Sequence, residues 1–111
     1  MAEYGEWNRK GATLSDATAS AEYEVDRDFI IKGIKAGKLE YREESIYGNP
    51  YLKILRSQLE QYILEELGAE YLGRVKKEAE LRTINKQIRE AKKKLKDLEL
   101  RRTELESSLN K

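Results

Sequence analysis

The chain has 111 residues, of which 39% are hydrophobic and 39% are charged, and its formal net charge is +1. It contains neither cysteine nor histidine, which excludes disulfides, thiol or imidazole chemistry and most zinc or copper sites. Its length allows one small domain and an extension, and a unit of about 50 residues is only marginally stable without a partner. No segment resembles a signal peptide or a membrane span. We therefore expect a soluble, cytoplasmic protein with no membrane partner, metal or cofactor.

Charge is spread unevenly along the chain. Residues 1–66 hold 9 Lys and Arg against 13 Asp and Glu, a net charge of −4, whereas residues 67–111 hold 13 against 8, a net charge of +5. Phosphate neutralisation supplies much of the affinity of proteins for DNA, so the acidic first part argues against strong DNA binding by a single copy of it. Residues 1–13 are polar and contain glycine, which predicts a flexible arm.

Two short helices are predicted after this arm. Ser15 is placed to cap the first, alanine-rich helix, and Asp26 is placed to cap the second. The second helix covers residues 27–36, and its inward face is predicted to consist of Ile30, Gly33 and Ile34. Gly37 is predicted to end this helix in the left-handed conformation.

A strand pair and a third helix follow. Residues 38–45 and 50–55 are predicted strands around a turn at residues 46–50, because Gly, Asn and Pro are strong turn formers. Ser57-Gln58-Leu59-Glu60 fits a capping box and predicts a helix through Leu67. Two helices, a minimal turn and a hairpin predict a mainly α fold with a small β-hairpin wing, a winged helix-turn-helix over residues 14–67. The second helix of such a unit usually enters a DNA groove.

Residues 69–111 predict one long helix, running from about Ala69 to Leu109. Its apolar residues recur at heptad spacing, which indicates a coiled coil that serves oligomerisation. Arg102 interrupts the repeat at a core position and is predicted to influence register or oligomer state. The remaining positions of the repeat are Leu81, Ile84, Ile88, Ala91, Leu95, Leu98, Leu105 and Leu109. Because so polar a helix is unstable as an isolated rod, we expect a homodimer.

Residues 14–63 resemble the MerR/excisionase-like winged helix-turn-helix family. The resemblance rests on Leu14-Ser15, on Ala19, on Val25-Asp26-Arg27, on the pair Ile30 and Ile34, on Gly37-Lys38-Leu39, and on the helix start at Arg56-Ser57-Gln58-Leu59-Glu60. Glu24 stands where a glycine commonly ends the first helix of that family. The resemblance implies a DNA-binding head, and the long helix after it is similar to MerR-type dimers.

If the second helix reads DNA, five outward positions are its candidate contacts, with basic side chains for phosphates or guanine edges and Ile31 for a thymine methyl. These positions are Arg27, Asp28, Ile31, Lys32 and Lys35. The alternative for this face is a solvated helix with extended lysines. Beyond the helix, Arg42 and Lys53 in the wing and Lys38 near the helix end are further candidates for phosphate contacts, although Lys38 equally suits the helix dipole.

Enzymatic function is not expected, because there is no glycine-rich phosphate loop and the carboxylates are scattered among lysines. The sequence predicts a dimeric, sequence-specific protein that binds double-stranded DNA, similar to a transcription regulator. One alternative keeps DNA binding but assigns a phage-type accessory role, in packaging as in terminase small subunits or in recombination as in excisionases, with the coil recruiting a protein. Another alternative is a coiled-coil adaptor whose acidic head binds protein.

Overall fold

The computed structural model of the protein describes residues 5–110. The chain is mainly helical, with one small three-stranded antiparallel sheet. It divides after Lys77 into two compact units. The helices are α1 (Asp16–Tyr23), α2 (Arg27–Lys35), α3 (Arg56–Leu67) and α4 (Ala69–Leu109), and the strands are β1 (Thr13–Ser15), β2 (Tyr41–Ile46) and β3 (Asn49–Leu55).

The predicted caps of α1 and α2 are confirmed. The Ser15 hydroxyl accepts a hydrogen bond from the Thr18 amide at 3.1 Å, and the Asp26 carboxylate accepts one from the Phe29 amide at 2.8 Å. Both bonds satisfy amides that the first turn of a helix leaves free. Glu24 ends α1 in the left-handed conformation, with φ of 55°, so a residue other than glycine occupies this position at the end of the helix.

The end of α2 also agrees with the prediction. Gly37 has φ of 76°, and the Lys38 amide donates to the Gly33 carbonyl at 2.9 Å while the Gly37 amide donates to the Ile34 carbonyl at 3.1 Å. These two bonds form a Schellman motif, which closes the last turn and turns the chain away from the helix axis.

The predicted hairpin exists, but its turn is shorter and earlier than expected. Tyr47 and Gly48 have φ of 52° and 82° and connect Ile46 to its partner Asn49, which is a two-residue turn with positive φ at both positions. The prediction that Asn49 and Pro50 belong to the turn is wrong. Pro50 pairs with Ser45 and its nitrogen faces away from β2, so its missing N–H removes no ladder bond.

The capping box predicted at the start of α3 is wrong as well. No side chain caps this helix, and the Ser57 hydroxyl instead donates to the Glu6 carboxylate at 2.6 Å. The first amide of α3, that of Arg56, donates to the Ala12 carbonyl at 2.8 Å. The helix therefore begins directly from β3, and the Ala12 carbonyl satisfies its first amide.

The core of the first unit lies between α1, α2, α3, the sheet and the first turns of α4. Its fully buried side chains include Ile30, Ile54, Leu59, Ile63 and Val75. Gly33 is buried where α2 approaches its neighbours closely, since a Cβ atom at this position would lie 2.8 Å from side-chain atoms of Leu39 and Tyr62. The predicted inward face of α2 is confirmed, with Ile34 partly buried against the same core.

The second unit consists of the rest of α4. The predicted bounds of this helix, Ala69 to Leu109, are confirmed. Every described residue from Glu80 onward is exposed, so the apolar heptad positions are not covered by the described part of this chain. Across residues 5–110, none of the helices combines the length and apolar character needed to cross a bilayer.

Candidate nucleic-acid interface

The outer face of α2 consists of the five residues predicted from the sequence to point outward. Four of them are exposed, and Ile31 is partly buried rather than exposed. Together with Asp26 and Phe29, four members of this face line one shallow surface depression. The carboxylates of Asp26 and Asp28 occupy the N-terminal end of the helix, which suits its dipole, so the cationic part of the face is the C-terminal half with Lys32 and Lys35.

Lys32 and Lys35 differ from two of the other predicted basic contacts, Arg27 and Lys38. Within the part of the chain that the structure describes, neither forms an ion pair with a carboxylate. By contrast, Arg27 pairs with Asp16 at 3.1 Å and Lys38 pairs with Glu65 at 3.4 Å. The two lysines therefore offer their ammonium groups to solvent, whereas Arg27 and Lys38 each have an internal partner.

The opposite face of α2 fixes the helix in place. Ile30 is fully buried, Gly33 allows the close approach described above, and the rings of Phe29 and Tyr62 lie 4.7 Å apart between their centres. Tyr62 is buried, so α2 rests on α3 through an aromatic contact and a glycine. A helix held this firmly presents its outer side chains from a rigid backbone.

A nearly buried carboxylate joins α2 to the hairpin. Asp16, the first residue of α1, accepts a hydrogen bond from the Arg27 Nε at 3.1 Å and one from the Leu52 amide at 3.2 Å. Burial alone would raise the pKa of Asp16, but these hydrogen bonds outweigh it and hold the pKa below its ordinary value. Sequence reasoning missed this residue, because an acid in the first turn of a helix normally indicates only a dipole interaction.

The Asp16–Arg27 pair also forms part of a groove between α2 and the hairpin. Its other lining residues are Glu43, Pro50, Tyr51 and Leu52. Glu43 is a second carboxylate in the lining of this groove, so the charge of the groove is not positive. Arg27 therefore acts first as a structural link between α2 and β3.

The hairpin brings its two predicted basic contacts together. Arg42 and Lys53 are directly opposite partners in the β2–β3 register, so both side chains lie on the same face of the sheet. The Arg42 guanidinium also stacks over the Trp7 ring at 4.3 Å from the ring centre. Trp7 was not predicted to contribute to this site, because residues 1–13 suggested a flexible arm.

The structure gives much of that arm a defined conformation. Residues Glu6–Asn8 form a 3₁₀ turn, and Thr13 begins β1, which pairs with the end of β3. Residues 1–4 of the predicted arm lie outside the described residues. The turn places Trp7 beside the hairpin, where it restricts the motion of Arg42.

A polar network ties α1 to α3 and to the start of α4. The Arg56 guanidinium donates to Glu22 at 2.5 Å and to the Tyr23 hydroxyl at 2.8 Å, and that hydroxyl donates to Glu60 at 2.5 Å. Burial and the bond to Glu60 raise the pKa of Tyr23, so the phenol stays protonated at physiological pH. Farther along, the single proton of the Tyr71 hydroxyl is shared between the carbonyls of Tyr23 and Glu24.

The apolar seam of α4 comprises the eight predicted oligomerisation residues. Leu95 and Leu98 are 56% and 58% exposed, and Ile84 and Ile88 are more than two-fifths exposed. A contiguous apolar stripe on a charged helix is a typical protein interface. Arg102, at a core position of the repeat, forms an ion pair with Glu106 one turn later at 3.8 Å.

The described residues hold no candidate metal site. Among residues 5–110 there is no cluster of three or more Asp or Glu side chains able to hold a metal ion. Comparisons with family models, curated proteins and solved structures find no match to this chain. The function is therefore inferred from the residues and their arrangement.

Proposed function

We propose that this protein is a sequence-specific DNA-binding protein whose first unit is a winged helix-turn-helix. In this proposal α2 is the recognition helix, and it enters the major groove of double-stranded DNA. The observation that carries the proposal is the pair Lys32 and Lys35, which are exposed and have no carboxylate partner among residues 5–110. They lie on a helix whose other face packs in the core. Such lysines donate to phosphates and to guanine edges, and the adjacent Ile31 offers apolar contact to a thymine methyl.

The hairpin acts as the wing in this proposal. Arg42 and Lys53 lie side by side on one face of the sheet, and stacking on Trp7 reduces the freedom that Arg42 loses on binding a phosphate. Glu43 and Glu44 on the same strand repel phosphates, because both groups are negatively charged. The wing therefore contributes positioning, and the base contacts come from α2.

Pairing of two copies compensates for the weak DNA binding expected of a single acidic head. A dimer formed through the seam raises the effective concentration of the second head once the first has bound. Two identical heads predict two related half-sites in the DNA. The affinity is expected to fall as salt increases, because each phosphate contact releases counterions.

The test begins with selection of bound duplexes from a random pool by the full-length protein, followed by fluorescence anisotropy with the selected site. Lys32→Ala and Lys35→Ala should each weaken binding by about 1–3 kcal/mol if they contact bases. Lys77→Ala removes the same charge from the end of the first unit and serves as the matched control. Selection of no sequence, or equal affinities for all three variants and the parent protein, would contradict the proposal.

A second candidate, a protein-binding adaptor, is favoured by the exposed acidic edge of the hairpin. β2 is an edge strand of the sheet, all of its residues are exposed, and Glu43 and Glu44 lie within it. The double variant Glu43→Gln/Glu44→Gln separates the two candidates. It should strengthen DNA binding, because it removes like-charge repulsion, whereas an adaptor that docks basic proteins on this edge would lose affinity for its partner.

A further inference from the structure

The densest concentration of positive charge in the chain lies in α4. Residues 82–96 contain seven Lys and Arg and a single carboxylate, that of Glu90, for a net charge of +6. This basic segment belongs entirely to the second unit, and each of its residues is exposed. Its charge exceeds that of the whole chain, which is +1.

Five of these seven cations form one straight row, called the basic stripe. Their spacings alternate between four and three residues, which places them on one face of the helix opposite the apolar seam. The row covers fourteen residue steps, or about 21 Å of helix. Its members are Arg82, Lys86, Arg89, Lys93 and Lys96. The other two cations, Lys92 and Lys94, flank the seam.

Charged residues are arranged differently in the basic stripe and in the C-terminal half of α4. In the C-terminal half, opposite charges stand one turn apart and pair, as in Arg101–Glu104 at 3.1 Å and Arg102–Glu106 at 3.8 Å. Successive members of the basic stripe stand one turn apart and are all cations. Glu78, Glu90, Asp97 and Glu99 also lie one turn from individual members, but within residues 5–110 no member forms an ion pair with a carboxylate. Like charges at this spacing repel one another on a helix, and a bound anion would reduce that repulsion.

We propose that the basic stripe binds the phosphate backbone of duplex DNA without reading its sequence. This inference rests on the proposed DNA-binding function and assigns a second, non-specific contact surface to it. A duplex carries one phosphate charge per about 1.7 Å of its axis. A duplex segment as long as the stripe, about 21 Å, therefore contains roughly twelve phosphates, and the stripe faces some of them. The stripe supplies positive charge that the acidic first unit lacks.

The composition of the second unit favours a duplex over other anionic partners. Residues 78–111 contain no aromatic residue, whereas surfaces for single strands stack bases on aromatic side chains. A helix lying on a membrane would insert its apolar face into the lipid, which would occupy the seam and turn the basic stripe away from the headgroups. When two copies pair through the seam, the stripe stays accessible on the outside of the coil.

The test measures how binding to a fluorescent duplex of arbitrary sequence depends on salt, with the full-length protein. Lys86→Gln/Lys93→Gln removes two stripe charges and should lower the slope of log K against log salt by about 1.8, or about 0.9 per lost contact. Lys92→Gln/Lys94→Gln removes two charges from the same segment but beside the seam, and should change the slope less. Sedimentation of both variants verifies that each has the oligomeric state of the parent protein.

Several outcomes would overturn the inference. Equal slopes for the parent protein and the stripe variant would do so, as would equal changes in the two variants, or binding of phosphatidylserine vesicles in place of DNA. Its failure is distinguishable from failure of the proposed function. If only the inference fails, the Lys32 and Lys35 variants still lose the selected site; if only the recognition role of α2 fails, the stripe variant alone shows an effect.

Discussion

The two units of this chain differ in whether their apolar side chains are buried. In the first unit, short helices of 8, 9 and 12 residues bury their apolar sides against one another and against the sheet. In the second unit, every described residue from Glu80 onward is exposed, including the leucines and isoleucines of the seam. The first unit is stabilised by its own packing, whereas the described part of the chain leaves the seam of the second unit uncovered.

The largest expected effect comes from placing a charge in the seam. Leu95→Asp should raise the dissociation constant of the dimer by more than about 100-fold, because association would bury an unpaired carboxylate in each copy. Leu100→Asp is a close control, since Leu100 belongs to the same helix, is equally exposed at 56% and lies outside the seam. Sedimentation equilibrium measures both, and a dimer unaffected by Leu95→Asp would show that the seam is not the interface.

A second comparison uses two helical glycines, one in a tight contact and one in open space. Gly33→Ala should lower the free energy of unfolding by about 2 kcal/mol, because the new methyl group overlaps the buried side chains of Leu39 and Tyr62. Gly73→Ala meets nothing within 4 Å and should raise it by about 0.5–1 kcal/mol through helix propensity. Urea unfolding of both variants measures the difference, and two effects of the same sign would contradict the described packing of α2.

The carboxylate between α2 and the hairpin predicts a pH-dependent effect. Asp16→Asn should lower the free energy of unfolding by about 1–2 kcal/mol at neutral pH, a figure reduced because Arg27 is largely exposed. Because the pKa of Asp16 is lowered by folding, its stabilising effect is present above its ordinary pKa of about 3.9. It is lost as the pH falls through the lower value of the folded state.

Chemical denaturation of the parent protein and of Asp16→Asn at several pH values measures this pH dependence of stability. The gap between their unfolding free energies should be constant near neutrality and should shrink under acidic conditions. Asp28→Asn, an exposed acid in the first turn of α2, should change stability by only a few tenths of a kcal/mol. A gap that widens towards acid would contradict the arrangement around Asp16.

The smallest expected difference separates two serines that the sequence assigns the same role. Ser15→Ala removes a cap hydrogen bond and should lower the unfolding free energy by about 1 kcal/mol. Ser57→Ala removes only an exposed contact with Glu6 and should lower it by less than about 0.5 kcal/mol. Thermal unfolding under identical conditions resolves the two, and equal losses would restore the capping box at the start of α3.

The parts of the fold that sequence reasoning predicted are those determined locally. The caps at Ser15 and Asp26, the left-handed Gly37 and the bounds of α4 depend on neighbours within a few residues or on a repeated period. The predictions that Pro50 belongs to the turn and that Ser57 caps α3 were wrong, because these features depend on distant segments. Strand register decided the turn, and the Ser57 hydroxyl bonds to Glu6, which lies 51 residues away in the sequence.

The candidate site also contains some features that the local sequence predicts and others that it does not. The outward positions of α2 follow from helical periodicity, so four of the five predicted residues are exposed. The partners that distinguish them do not follow from periodicity. Asp16 pairs with Arg27, 11 residues away, and with the Leu52 amide, 36 residues away. Trp7 contacts Arg42, which is also distant in the sequence.

The burial of Val75 has a practical consequence for dividing this protein into fragments. Val75 is fully buried in the core of the first unit, and Tyr71 and Leu72 pack against the same core. A fragment cut at Leu67, where the third helix ends, would leave a hydrophobic hole and two backbone carbonyls without their tyrosine donor. An autonomous head for crystallisation or spectroscopy has to retain the chain through Lys77.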